Sequence, residues 1–351
     1  MVTLWGRDGY QLSMACGSNA GTGLGAWDNA QAALVVGEIK GMDWLYKANI
    51  LHTKPATLNA SPAPGTHYEK RLANGRNLGS LTSVHYLQTG ILTFNLMGAC
   101  TTAGVGDPYT HTITKIATTA PTRLAFHVEK EGITANRRKD MMGFVGKSLD
   151  ISVSEKNTNA FQTFSANFSF TGAGANLAAP TALTQTNVRP LTWFDYKNAS
   201  GGSGFTYNAG AINQDIISID MHLGWKDAFL GTYDGNGYYT NGLYIPPFKP
   251  YIKLGIRYTD AAGTLIDDLS DLAHTAYAGD LDFVVDFYES ASRYLKYTFD
   301  KCYIVPDYEE KLQEEGDWYD GVEITLEPLN ETSSVAVEEK NYLTKVWYEH
   351  D

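Results

Sequence analysis

The stretch Tyr109-Thr-His-Thr-Ile-Thr114 opens the part of the chain that decides the fold. It is followed by Leu124-Ala-Phe-His-Val-Glu-Lys-Glu-Gly132, Phe144-Val-Gly-Lys-Ser-Leu-Asp-Ile-Ser152 and Phe161-Gln-Thr-Phe-Ser-Ala-Asn-Phe-Ser-Phe170. In these stretches apolar residues alternate with Thr, Ser, Lys or Glu, which is the pattern of strands that bury one face. Their order predicts an antiparallel β-structure. None of these residues resembles a nucleophile, a metal cage or a phosphate loop.

The rest of the chain continues this mainly β pattern with two helical interruptions. Ile91–Met97 is predicted as one or two helical turns closed by Gly98, and Leu265–Ala276 carries apolar residues at helical spacing with acidic residues on the opposite face. Further strands are predicted at Leu81–Leu87, Asp215–Leu223 and Phe248–Tyr258 and between Leu281 and Leu326.

Composition and charge exclude several classes of protein. The chain has 351 residues, enough for two domains, and its hydrophobic content of 43% is that of a globular protein. Only 19% of the residues are charged, and the net charge is −12. High affinity for nucleic acid is disfavoured, because phosphate binding requires clustered Lys and Arg. The same charge suits a wall past which nucleic acid slides without sticking.

The cysteines and the N-terminus favour a protein made and kept in the cytosol. Cys16, Cys100 and Cys302 are an odd number without close spacing, which indicates free thiols rather than a disulfide framework or a zinc site. The N-terminal residues lack the pattern of a signal peptide. No apolar run approaches the roughly 20 residues that span a bilayer.

Composition divides the chain into four parts. We predict an N-terminal arm with a first β domain (residues 1–175), a linker (176–204), a second β domain (205–335) and an acidic C-terminal tail (336–351). Four segments of the second half resemble segments of the first in the same order, which suggests an internal duplication. The clearest match pairs Leu124–Glu129 with Phe283–Glu289.

No motif predicts catalysis, a cofactor or a metal. Gly17–Gly25 lacks the Gly-Lys-Ser/Thr ending of a phosphate loop. The turn at Asp234–Asn236 resembles the start of a calcium loop but has Ile245 where an EF-hand requires Glu, so a tight turn is the preferred interpretation and an ion site the alternative. The eight histidines have no metal-ligand spacing. The adjacent carboxylates are weak glycosidase candidates, at Asp267/Asp268, Glu309/Glu310 and Glu314/Glu315.

One region resembles a known family. Leu96-Met-Gly-Ala99, Asp107-Pro-Tyr-Thr-His-Thr-Ile113, Leu124–Glu131 and Phe144-Val-Gly-Lys-Ser-Leu-Asp-Ile-Ser-Val153 together resemble the tail tube proteins of long-tailed bacteriophages. In that family a Pro-Tyr-Thr-His strand leads to a strand ending in acidic residues, a glycine-containing turn and a strand like the one that starts at Phe144. The resemblance covers about residues 30–172 and is only suggestive over 205–330.

The resemblance implies a β-sandwich or partly closed barrel with a flanking helix, and the matches between the two halves predict two such units in one chain. It also implies a virion structural protein without enzymatic activity, made in the host cytoplasm. Copies would join into rings that stack as a tail tube with an acidic lumen for viral DNA. The rings are hexameric in the family; two units in each chain would make a pseudo-hexameric trimer. Tape measure and terminator proteins would be further partners.

The long segment from His52 to Gly79 lies where the family has its inter-ring loop. Self-assembly contacts are therefore expected at four residues, although plain solvated loop residues are an equal alternative: Tyr68, Lys70, Arg71 and Arg76. Two rival functions remain. The tyrosine-rich segment Tyr233–Tyr244 would suit a carbohydrate- or receptor-binding module. The second rival is a glycosidase, for which the sequence offers only unpaired acids.

Overall fold

The computed structural model describes the chain in segments, to which every structural statement below refers. They are residues 10–15, 33–35, 39–47, 50–53, 71–74, 78–116, 124–130, 137–168, 183–184, 188–197, 205–207, 210–211, 216–226, 247–256, 281–305, 322–328, 335–343 and 348.

Most of these residues lie in β-strands. In chain order the strands are β1 (Tyr10–Ala15), β2 (Ala33–Val35), β3 (Ile39–Lys47), β4 (Ile50–Thr53), β5 (Arg71–Asn74), β6 (Leu78–Tyr86), β7 (Gly98–Ala103), β8 (Tyr109–Lys115), β9 (Leu124–Lys130), β10 (Arg137–Ser154), β11 (Phe161–Phe168), β12 (Leu183–Thr184), β13 (Phe205–Tyr207), β14 (Gly210–Ala211), β15 (Ile216–Gly224), β16 (Tyr251–Ile256), β17 (Leu281–Ser290), β18 (Arg293–Ile304), β19 (Val322–Pro328) and β20 (Val335–Asn341). The prediction of a mainly β protein is confirmed.

Two short helices accompany the strands, α1 (Ile91–Met97) and α2 (Trp193–Lys197). All seven residues of α1 are buried, so this helix lies inside the core. It ends where the sequence predicted, because Gly98 takes the left-handed conformation with φ of 91° that closes a helix and that glycine adopts without strain. No described helix is long and apolar enough to cross a membrane.

Two sets of five strands pair in the same order. The first set is β3–β6–β11–β10–β9 and the second is β15–β16–β19–β18–β17. All of these pairings are antiparallel. The sets are joined directly, because Ser148–Ser154 of β10 pairs with Ser218–Gly224 of β15. The halves of the chain therefore share one sheet.

Most of the remaining strands extend this sheet. The last strand, β20, pairs with β18 on one side and with β8 on the other, and β8 pairs with β7. The strand β9 continues to β1 and β2, while β4 and β5 form a separate hairpin. The pairings among the described strands do not close into a ring.

The core is built from both halves. Residues of the two strand sets and of α1 belong to one hydrophobic cluster, which includes Leu149, Phe164, Leu223 and Phe287. Gly146 of β10 packs closely against α1, since a Cβ there would stand 3.3 Å from backbone atoms of Asn95 and Leu96. The glycine of the Phe-Val-Gly motif thus permits close packing of helix on strand.

The structure differs from the sequence prediction in three segments. The predicted loop 52–79 contains β5 and the first residues of β6, so its ends belong to strands. The predicted linker 176–204 contains α2, with Trp193 and Tyr196 buried. The predicted tail 336–351 contains most of β20, which is paired on both sides. The predicted helix 265–276 lies outside the described residues.

Candidate functional site

A polar face covers the strands where the halves of the chain meet. On Ser148–Ser154 of β10 and on β15, β16 and β19 the buried apolar residues belong to the core, and the alternate positions carry polar groups. The polar positions with titratable groups are Asp150, Asp220, His222, Tyr251, Lys253, Glu323 and Glu327. Four carboxylates thus accompany one lysine and one histidine, so the face is polar and acidic on balance.

Cross-strand contacts order this face. Nδ1 of His222 lies 2.5 Å from Oδ1 of Asp150, and the imidazole stacks on Tyr251 with ring centroids 4.7 Å apart. The Lys253 ammonium lies 3.9 Å from Glu323. Burial raises the pKa of Asp220, which Glu323 raises further and Lys253 opposes. Exposed ion pairs of this kind contribute about 0–1 kcal/mol each, so they orient side chains more than they stabilise the fold.

A second polar row crosses β17, β18 and β20. Asp286 stands opposite Lys296, and Lys296 stands opposite Glu338 with 4.0 Å between their charged atoms. Tyr294 donates a short hydrogen bond to Glu338. Asp286 is only 8% exposed, and its Oδ1 has no hydrogen-bond partner. Burial raises the pKa of Asp286 to about 6; Lys296 opposes this shift and Glu338 adds to it.

Asp286 should make the chain less stable as the pH rises. Its pKa is raised in the folded state, so the folded chain holds the proton more tightly than the unfolded chain, and stability falls between pH 3.8 and about 6. We expect Asp286→Asn to raise the free energy of unfolding by about 1–3 kcal/mol at pH 8 and to change it little below pH 4. Urea unfolding at both pH values measures this. Asp107→Asn, at an exposed site, is the matched control, and an equal effect of the two variants at pH 8 would contradict the prediction.

An ion-pair cluster ties the predicted linker to the second strand set. Arg189 donates two hydrogen bonds to the Asp195 carboxylate, at 2.8 and 2.5 Å, and a third to Glu289 at 3.0 Å. Arg293 also bonds Glu289, and its other amino group donates to the carbonyl of Arg189 at 2.6 Å. Burial alone would raise the pKa of Asp195, but hydrogen bonds from Arg189 and Thr192 hold it below its usual range.

The helix α1 belongs to the first half of the chain but is held by the second. At its N-terminus the Gly90 N–H donates to Oε2 of Glu339 at 2.9 Å. In its middle, Thr93 shares a hydrogen bond of 3.1 Å with the hydroxyl of Tyr297. At its last turn the Leu96 carbonyl accepts from Nε1 of Trp225 at 3.3 Å. Strands β20 and β18 and the end of β15 therefore supply the polar partners of this buried helix.

Of the four residues predicted for self-assembly, the described structure includes only Arg71. Arg71 is the first residue of β5, opposite Thr53. Tyr68, Lys70 and Arg76 lie outside the described residues, as do the turn at Asp234–Asn236 and the adjacent carboxylate pairs. The described part of the chain contains no cluster of His, Cys, Asp or Glu that could hold a metal ion.

The sequence analysis missed both the polar rows and the partners of α1. The alternation of the strands does predict which residues of β10, β15 and β16 face away from the core. The partners of α1 could not be found in this way, because Gly90 and Glu339 are 249 positions apart.

Comparison with known proteins adds no family. A scan against protein-family models and a search of curated proteins both find no match.

Proposed function

We propose that the chain is a structural subunit whose copies self-assemble into stacked rings, forming the tail tube of a long-tailed virus and a conduit for its DNA. The observation that carries the proposal is the repeated pairing order of β3–β6–β11–β10–β9 and β15–β16–β19–β18–β17. A wall of this kind requires strand edges that pair and does not require an active site.

The repeated order supports a duplicated unit, a β-sandwich or partly closed barrel in which α1 is the helix of the first copy. In this order β3 corresponds to β15 and β6 corresponds to β16. The predicted helix 265–276 follows β16 in the chain as α1 follows β6.

The junction of the two sets supplies a pattern for assembly. Strand β15 pairs through one edge with β16 and through the other with β10 of the preceding unit. The equivalent strand β3 pairs with β6, and no described strand pairs with its other edge. An unpaired edge is a template for another chain. We infer that a neighbouring copy pairs there, so that three chains supply six units to a ring.

The polar face supports a conduit that does not retain DNA. On this face, which runs from Ser148–Ser154 of β10 across β15, β16 and β19, four carboxylates accompany one lysine, and the whole chain carries a net charge of −12. Phosphate groups near such a face are repelled and release no counterions on approach.

Electron microscopy of the purified chain tests the proposal. At high protein concentration we expect stacked rings or tubes whose cross-section contains three chains and six similar units. The chain at low concentration, measured by light scattering, gives the mass of the unassembled form as a control. Six chains per ring would contradict the trimer, and a chain that stays monomeric at all concentrations would contradict the assembly itself.

A further inference from the structure

The last described strand is held in the sheet by a buried polar network rather than by apolar residues alone. Strand β20 buries Val335 and Val337 and then Glu339 and Asn341 on the same face. Glu339 is 2% exposed and Asn341 is 3% exposed. A buried carboxylate is costly to desolvate unless hydrogen bonds compensate for the lost water. Attachment of β20 therefore depends on the groups that meet these two side chains.

The network is a continuous chain of hydrogen bonds. Oε2 of Glu339 accepts from the Tyr348 hydroxyl at 2.5 Å, and that hydroxyl accepts from Nδ2 of Asn341 at 3.1 Å. Oδ1 of Asn341 accepts from the N–H of Leu343 at 2.9 Å and lies 3.2 Å from Nε2 of His111. The network thus runs from the N-terminus of α1 to a histidine of β8.

The contacts of His111 assign its tautomer. Nε2 lies 2.9 Å from the carbonyl of Leu343 and 3.2 Å from Oδ1 of Asn341, which are both acceptors, so Nε2 carries the hydrogen. Nδ1 then accepts from the hydroxyl of Thr102 at 2.9 Å. The imidazole is fully buried and stacks on Tyr348 with ring centroids 3.8 Å apart. A second proton would place a positive charge in this buried stack.

We propose that residues 335–343 together with Tyr348 form a latch, which detaches from β8, β18 and α1 while the β10–β15 junction stays paired. Protonation of His111 or ionisation of Glu339 opens this latch. Opening returns both titratable groups to water and so removes the cost of burying them. This strand is therefore easier to release than a strand that is held by apolar residues alone. The latch joins the two halves of the chain, because β8 precedes the β10–β15 junction and β18 follows it.

His111 and Glu339 destabilise the closed latch in opposite directions of pH. Burial lowers the pKa of His111 below 6.5, so the closed latch loses stability as the pH falls below that value. Burial raises the pKa of Glu339 above 4.5, against hydrogen bonds from Tyr348, Gly90 and Asn341, so the closed latch loses stability as the pH rises through that raised pKa. Other titratable or charged groups that face the network are Cys100 on β7, Tyr109 on β8, and Arg293 and Tyr297 on β18.

These other groups do not provide a competing switch. Burial raises the pKa of Cys100 to about 12, so its thiol stays neutral across the range in which His111 and Glu339 titrate. Burial likewise raises the pKa of Tyr297 above its ordinary value of 10.0. Arg293 stays protonated and favours the ionised form of Glu339. The proton balance of the latch therefore rests on His111 and Glu339.

Hydrogen exchange on the full-length chain tests the latch. We expect amides of 335–343 to exchange at least roughly tenfold faster than those of 148–154, after correction for intrinsic rates. In Glu339→Gln the opening at rising pH should disappear, because the amide oxygen can still accept from Gly90 and Tyr348 but the side chain no longer ionises. In His111→Gln the acid opening should disappear. His222→Gln, on the polar face, is the matched control and should leave the exchange of 335–343 unchanged.

Two results would overturn the proposal. Equal protection of 335–343 and 148–154 at every pH would mean that the strand opens only when the whole sheet unfolds. Faster exchange that keeps its pH dependence in both variants would mean that neither His111 nor Glu339 controls opening. Tyr348→Phe, which removes only the hydroxyl that links Asn341 to Glu339, provides a further test if a charge variant fails to fold. It should open 335–343 at all pH values, and unchanged protection would count against the network.

Discussion

Trp225→Ala is expected to lower the free energy of unfolding by about 3–5 kcal/mol, the range for loss of a large buried aromatic side chain. Trp225 is 3% exposed, packs edge-on against Phe248 with ring centroids 5.0 Å apart and donates to the carbonyl of Leu96. The substitution removes apolar contacts in the second half of the chain and the indole N–H that donates to the Leu96 carbonyl of α1 in the first half. Both halves should therefore lose stability in a single transition, which urea unfolding followed by circular dichroism measures.

The conservative variant separates packing from hydrogen bonding. Trp225→Phe keeps an aromatic ring beside Phe248 but leaves the Leu96 carbonyl without its donor, so we expect a smaller loss of about 1–3 kcal/mol. Two separate transitions in Trp225→Ala, with that of the first half unchanged, would show that Trp225 does not couple α1 to the second half.

The parts of the fold that follow from local pattern could be predicted. Strands β8, β9, β11, β15 and β16 lie where alternation of apolar and polar residues placed them. The end of α1 could also be predicted, because Gly98 supplies a conformation that other residues adopt only with strain. These signals depend on neighbours in the chain, which the sequence displays directly.

The position of β20 could not be predicted in this way. The segment Val335-Ala-Val-Glu-Glu-Lys-Asn341 has three charged residues in a row, which is typical of a solvated tail. Glu339 is nevertheless buried, because its partners Gly90 and Tyr348 come from distant parts of the chain. Burial of a charged residue depends on such tertiary partners, and local periodicity contains no information about them.

The predicted linker likewise contains buried residues that its composition did not predict. Residues 198–204 have the glycine- and serine-rich composition of a flexible connection, but the adjoining residues 188–197 include Trp193 and Tyr196, which are buried. Composition averaged over the segment hid these two aromatic anchors. The ion pair between Arg189 and Glu289 then fixes this part of the chain beside β17.

The division of the chain into two domains can be tested by separating them, and we expect fragment 1–204 not to fold when it is expressed without fragment 205–351. Without the second half, β10 loses its pairing with β15, and β8 loses its pairing with β20. Helix α1 would also lose Glu339, Tyr297 and Trp225, which leaves polar groups of a buried helix without partners. Circular dichroism and proteolysis of fragment 1–204 should show an unfolded or loosely packed chain, and addition of fragment 205–351 should restore the folded signal.

The fragment pair with Trp225→Ala is the control, since it should reassemble less well. A cooperative thermal transition of fragment 1–204 alone, close to that of the full chain, would contradict the prediction. The two halves would then be independent domains that are merely joined at β10 and β15, and not two units that complete each other's core.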